Sequence, residues 1–345
     1  MNDPCESQSG VRSFGDLLDA VCRIYAQHWL LLTRPLLTPV LLQLLGLYGS
    51  VAGSYALINH LFEQQPAWLP VEPAVRMAVM LGAPMAVCLL FLLVFVDGFW
   101  KFLVQMAALS RVVLAVDDGQ SPDPEAARLF VAHQGWRYGW VLVASGLIQT
   151  LCLAPMGIVP LLVRDMGPLL LLEGLLLLPV TVLVLAAMMA FALVFPIAGL
   201  EVLPSSPLAT LRRCLALLRG QFWVLAGMLF IVGVVTSILG PILAQVLLVV
   251  LLGSLLNAVH HWIITLLDHQ APVIAFVQSS FTQAGQAAPT AADMMDMICK
   301  VLTSLTLNTV AGALLYPLYA VSLALLYRNA LARQGESLHL DNKHL

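Results

Sequence analysis

Six long apolar runs divide this chain and leave few architectures open to it. They lie at about 35–58, 75–100 (continuing as a helix towards 116), 138–163, 168–200, 222–239 and 297–327. Each reaches the roughly 20 residues that cross a bilayer core. Only 10% of the 345 residues are charged and 60% are hydrophobic, whereas about a quarter of a soluble domain is charged. So little charge cannot clothe a globule of this size in water, and lipid is its natural solvent. The opening MNDPCESQSG is polar and acidic. It lacks the basic start of a cleaved signal, so the first run is expected to stay as a permanent span.

The basic residues orient the spans. Of the sixteen Lys and Arg, only Arg76, Arg164 and Lys300 fall on one side, and the other thirteen, from Arg12 to Lys343, fall on the opposite side. The excess of basic residues marks the cytoplasmic side, which places both termini in the cytoplasm. The segment 241–283 could hold a further span, but a seventh crossing would carry the C-terminal cations to the wrong side. We therefore expect a long fifth helix broken at Gly240-Pro241, followed by an amphipathic stretch on the outer surface.

Three stretches between the spans resemble one another. DLLDAVCRIYAQHW, PEAARLFVAHQGW and PLATLRRCLALLRGQFW each end in Trp, at Trp29, Trp136 and Trp223. Each has Gln two residues earlier, at Gln27, Gln134 and Gln221. Each also opens on a helix-start signal: Ser13, Ser121-Pro122-Asp123-Pro124, and Ser205-Ser206-Pro207. The repeated unit is a surface helix, Q-x-W, then an outward and a returning span. In the third copy, Leu208, Leu211, Leu215, Leu218 and Phe222 recur at helical spacing beside Arg212, Arg213 and Arg219. A basic amphipathic helix next to a span belongs on a membrane surface, where anionic headgroups attract it. Three arginines fall short of the dense patch that a nucleic acid requires.

The stretch FPIAGLEVLPSSPLATLRRCLALLRGQFWVLAGMLFI resembles the membrane domain attached to some glycerophosphoryl diester phosphodiesterases. That family also contains standalone, YciC-like bacterial membrane proteins. Glu201, Ala209, Leu211, Arg212, Arg213, Gly220, Phe222 and Trp223 follow its pattern, with Cys214 in the usual serine position. The resemblance implies a six-helix membrane domain. It does not carry over the diesterase activity, because the catalytic barrel has no counterpart in this sequence.

Few residues invite chemistry. Asp97 and Lys101 are four apart near the cytoplasmic end of the second span, as a helical ion pair requires. Glu173 interrupts LLLLEGLLLL, either answering Arg164 across a turn or handling a proton or substrate. Glu201 is placed to pin the surface helix through Arg212 or Arg213. Gly49-x-x-x-Gly53 permits close helix contact. His260, His261, Asp268 and His269 could hold a metal, or simply form a polar turn. The six cysteines show no CxxC pair, so neither a disulfide framework nor a zinc site is expected. There is no phosphate loop, no dinucleotide fingerprint and no HExxH.

The sequence thus predicts an all-α membrane protein with six transmembrane helices in three hairpins, each preceded by a cytoplasmic interfacial amphipathic helix. Its layout is a polar tail (1–12), one polytopic domain (13–334, with approximate repeats 13–118, 121–200 and 205–330) and a C-terminal tail (335–345). The expected role is a non-enzymatic scaffold, accessory subunit or lipid organiser of a bacterial cytoplasmic membrane. No cofactor is expected, and the expected partners are anionic lipids and other membrane proteins. The alternative is a transporter or lipid-handling carrier, which would work through Glu173 and Asp97.

Overall fold

The computed structural model describes residues 11–63, 72–163, 170–219, 221–247 and 291–336, and these are helices and short connections. The helices are α1 (Phe14–Glu63), α2 (Pro73–Asp117), α3 (Pro124–His133), α4 (Gly135–Val163), α5 (Leu170–Leu200), α6 (Pro207–Leu218), α7 (Phe222–Leu247) and α8 (Ala291–Arg333). Six of them, all but α3 and α6, are long and apolar enough to cross a membrane. The described residues are all-helical, with the six long apolar helices of a multi-pass membrane protein. The most apolar window of α2 is only 12% buried within the chain. Met85, Leu89, Leu93 and Val96, all on one face of α2, are each more than half exposed. A continuous apolar surface of that kind suits lipid or a protein partner rather than water.

α7 departs from the sequence expectation. It runs through Gly240 and Pro241 to Leu247 without ending, so Pro241 lies inside the helix. Proline forfeits one backbone hydrogen bond, and the apolar turns on either side carry the helix past that loss. The question of a further span or amphipathic stretch beyond Leu247, together with the His260, His261, Asp268 and His269 set, lies outside the described residues. So does Arg164.

The chain divides into two compact units. The first comprises Met1–Pro35, Leu103–Val234 and Tyr316–Leu345, and the second Leu36–Phe102 and Val235–Leu315. In the second unit α1 and α2 meet through glycine. A Cβ on Gly46 would lie 2.5 Å from the Phe95 nitrogen, and one on Gly49 would lie 2.2 Å from the Phe91 ring. A Cβ on Gly53 would lie 3.0 Å from Phe91 and Val87, and one on Gly98 of α2 would lie 2.8 Å from the Gln43 nitrogen. The Gly49-x-x-x-Gly53 pattern therefore serves a contact within the chain. Buried polar links accompany it: Gln43 Nε2 donates to the Gly98 carbonyl at 3.4 Å, and the Tyr48 and Thr306 hydroxyls lie 2.7 Å apart.

The first unit has a dense core. Leu17, Leu32, Val113, Val131, Tyr138, Val194, Cys214 and Tyr327 are each completely buried. α4 packs along α5, α6 rests on both, and α3 touches the same pair. Tyr138 donates its hydroxyl proton to the Leu103 carbonyl at 3.1 Å, joining α4 to α2. α2 has 45 residues and α8 has 43. At about 1.5 Å per residue, each far exceeds a hydrocarbon core of about 30 Å. The surplus turns, from Leu103 in α2 and from Tyr316 in α8, belong to the first unit and bring their polar ends into it.

Candidate functional site

The polar groups of the first unit gather at helix ends. The reason is local: an α-helix leaves its first four N–H and last four C=O groups without partners. At the start of α1, Ser13 and Asp16 cap one another. The Asp16 amide donates to Ser13 Oγ at 3.3 Å, and the Ser13 amide donates to Asp16 Oδ2 at 3.1 Å. At α3, Asp123 Oδ1 accepts from the amides of Glu125 and Ala126, both at 3.0 Å. At α6, Ser206 occupies the cap position but makes no side-chain capping bond, and Pro207 alone starts the helix.

All three Q-x-W sequences coincide with a break in the helix. His28, between Gln27 and Trp29, has non-helical angles inside α1. α3 ends at His133, α4 begins at Gly135, and Gln134 sits between them. α6 ends at Leu218 and α7 begins at Phe222, just after Gln221. The three tryptophans are 49%, 78% and 82% exposed. The three glutamines diverge. Gln134 is buried; its Nε2 donates to the carbonyls of Ala198 at 2.7 Å and Glu201 at 3.2 Å, while its Oε1 accepts from the Leu203 amide at 2.9 Å. Gln221 is also buried and donates to the Asn329 carbonyl at 3.3 Å. Gln27 is exposed. Where it is buried, this glutamine ties the start of one span to the end of the next described span.

Two ion clusters complete the layer. Asp117, whose side chain is 7% exposed, accepts from Arg12 and Arg328, each at 2.9 Å, and Arg328 also reaches Asp118 at 2.6 Å. The Arg12 amide donates to Asn329 Oδ1 at 2.8 Å. In the second cluster Arg213 forms a two-point pair with Glu336, and one of its nitrogens lies 3.4 Å from Glu201. The Tyr327 hydroxyl donates to Glu201. The pair with Glu336 drives the Arg213 pKa upward and holds the Glu336 carboxyl below the usual carboxylate range. Gly119 and Gly335, at φ of 68° and 72°, end α2 and α8 in left-handed turns. Those turns carry Asp118 and Glu336 to their partners.

Cys214 sits under this layer with no exposure. Burial pushes its thiol up to about 12. Its thiolate is therefore about a thousandfold scarcer than that of an ordinary cysteine. We expect Cys214 to resist maleimide in the folded protein at neutral pH and to react once the chain is unfolded, whereas Cys22, exposed on the stretch before the first span, reacts in the folded protein. Mass spectrometry of labelled peptides checks this.

The residues singled out from sequence fall in several places. Asp97 and Lys101 form an ion pair of 2.6 Å in the second unit, each side chain half exposed. Glu173 lies within α5, and its side chain is outside the described set. Arg212 is exposed, so Arg213 is the arginine that faces Glu201. The leucine stripe of α6 splits: Leu211 and Leu218 are buried with Thr210, Cys214 and Leu217, while Leu208 and Leu215 are 58% and 54% exposed. Sequence reasoning assigned no partner to Arg12, Asp117, Tyr327, Arg328, Asn329 or Glu336. Two adjacent acids at the end of a span, before a glycine, were the available signal. Comparison with protein-family models, curated proteins and solved structures finds no match to this chain.

Proposed function

We propose that this chain is a non-enzymatic integral protein of the bacterial cytoplasmic membrane that organises anionic lipid and scaffolds other membrane proteins at the cytoplasmic leaflet. Both termini face the cytoplasm, and each of three hairpins is introduced by an interfacial amphipathic helix. The supporting observation is the coincidence of three helix breaks with three exposed tryptophans, because tryptophan at the point where a chain enters lipid anchors the interface. The outward Leu208 and Leu215, beside the exposed Arg212 and Arg219, give α6 the composition of a lipid-facing surface. The likeness to the phosphodiesterase membrane domain favours the same reading. The Asp97–Lys101 pair is self-neutralised, which suits an anchored span better than a carrier.

Native mass spectrometry from a mild detergent tests this reading. Wild-type protein is expected to retain anionic phospholipids, and an Arg212→Glu, Arg219→Glu variant to retain far fewer. Each lost cation weakens attraction to the leaflet by about 1 kcal/mol, roughly fivefold. A small molecule held at fixed stoichiometry and lost in Glu173→Gln would establish the carrier instead.

A further inference from the structure

We propose that two copies of this chain pair through α4, along a seam of Gly139, Leu142, Gly146, Gln149 and Leu153, with the Gln149 amides bonded to one another across a two-fold axis. The inference goes beyond the lipid-organising function and rests on α4 crossing the bilayer. Gln149 is the middle residue of α4, fourteen positions from Gly135 and from Val163. At about 1.5 Å per residue it stands about 21 Å along the helix from either end, near the midplane of a hydrocarbon core about 30 Å thick. Its side-chain amide makes no hydrogen bond among the described residues, and the residue is partly exposed. Exposure on the outside of a span at that depth is exposure to lipid tails, which offer neither donor nor acceptor.

Nearby polar side chains are satisfied within the chain. Ser145 donates to the Val141 carbonyl, and Thr150 donates to the Gly146 carbonyl at 2.9 Å. Gln43, the amide of α1, is buried and donates to the Gly98 carbonyl. The position of Gln149 on its helix explains the difference. Tyr138, Val141 and Ser145 are buried and mark the face that α4 turns inward. Gly139, Leu142, Gly146 and Gln149 run beside that face and are all partly exposed, and Leu153 is 47% exposed. Their spacing alternates between three and four residues, the repeat by which two helices interlock. A Cβ on Gly146 would meet nothing within 4 Å. Gly46, Gly49, Gly98 and Gly199 each make room for another helix of this chain. Gly146 makes room for none, although glycine lowers helix propensity. Such a flat place on a span lets a second helix approach closely.

The depth and chemistry of Gln149 point to a second copy as the occupant. Copies inserted in the same orientation carry Gln149 at the same level, and a two-fold axis along the membrane normal brings each residue onto its own counterpart. A carboxamide holds two donors and an acceptor, so it answers itself across that axis, giving one bond and receiving one. A single polar residue in an apolar seam also fixes the register of the pair. Lipid tails would cover the same seam but leave the amide unpaired in hydrocarbon, which is costly.

Single-molecule photobleaching of the whole labelled chain, in vesicles of phosphatidylcholine and phosphatidylglycerol at a series of protein-to-lipid ratios, tests the seam. Wild-type protein is expected to pass from monomer to dimer as the ratio rises. Gln149→Leu is expected to weaken the dimer about tenfold, and Gly146→Ile at least as much by holding the helices apart. Gln149→Asn keeps both donor and acceptor and should retain most of the dimer. Leu147→Ala changes an exposed residue away from the seam and should leave the dimer unchanged. Leucine at position 149 suits a span better than glutamine, so this variant carries the test if Gly146→Ile does not fold. Wild-type protein that stays monomeric at every ratio overturns the pairing. A dimer that survives both Gln149→Leu and Gly146→Ile, or that Leu147→Ala weakens as much as they do, overturns the seam.

Discussion

Gly199→Val is expected to abolish a stably folded first unit, and Gly199→Ala to lower the midpoint of thermal unfolding in detergent substantially. A Cβ at Gly199 of α5 would lie 2.0 Å from the Ala107 carbonyl oxygen of α2 and 3.3 Å from Ser110 Cβ. The first obstacle is backbone, so no side chain can swing aside to make room. Overpacking a core costs about 1–3 kcal/mol where flexible side chains can adjust, and this contact leaves no such adjustment, so the alanine variant belongs at the upper end of that range. Gly82 and Gly233 supply the controls, because a Cβ at either meets nothing within 4 Å. Alanine there is expected to be neutral or stabilising by up to about 1 kcal/mol, the difference in helix propensity. If Gly199→Ala melts with the controls, α5 and α2 do not approach as closely as described.

The spans were legible in the sequence because hydropathy is a property of a window. A run of twenty apolar residues reads the same whatever it later packs against. The helix breaks were legible for a similar reason: serine, aspartate and proline act on the backbone next to them, and Ser13 and Asp123 do cap α1 and α3. Pro241 shows the limit of that local logic, since a helix with apolar turns on both sides absorbs the loss of one bond. The ion clusters were not legible. Arg12 meets Asp117 across 105 residues of sequence, Arg213 meets Glu336 across 123, and Arg328 meets Asp117 across 211. Which helix ends come together depends on the packing of several helices at once, and no local pattern encodes it. The leucine stripe of α6 failed for a related reason. Helical spacing marks Leu208 and Leu211 as neighbours, but only contact with α4 and α5 decides that Leu211 turns in while Leu208 turns out.

The same distinction predicts different outcomes at three positions that the sequence makes equivalent. Replacing Gln134 with leucine is expected to destabilise the protein by several kcal/mol, Gln221→Leu by about 1 kcal/mol, and Gln27→Leu hardly at all. Gln134 satisfies two carbonyls and one amide at the end of α5 and in the connection to α6. Leucine would remove all three bonds, and a buried backbone group left without a partner costs about 1–3 kcal/mol. Gln221 makes one longer bond, and Gln27 is exposed. Melting curves of the three variants in one detergent measure the order, and equal losses would contradict the division of labour. Gln134→Glu sharpens the test. Its carboxylate would face the two carbonyls that now receive N–H groups, so the folded state favours the protonated acid and raises its pKa. A group whose folded pKa is raised is most stabilising below its unfolded pKa and loses that stabilisation as pH climbs through the folded value. The variant should therefore be more stable at about pH 5 than at about pH 8 relative to wild type. Gln134→Leu, which carries no proton to exchange at this site, should show the same deficit at both.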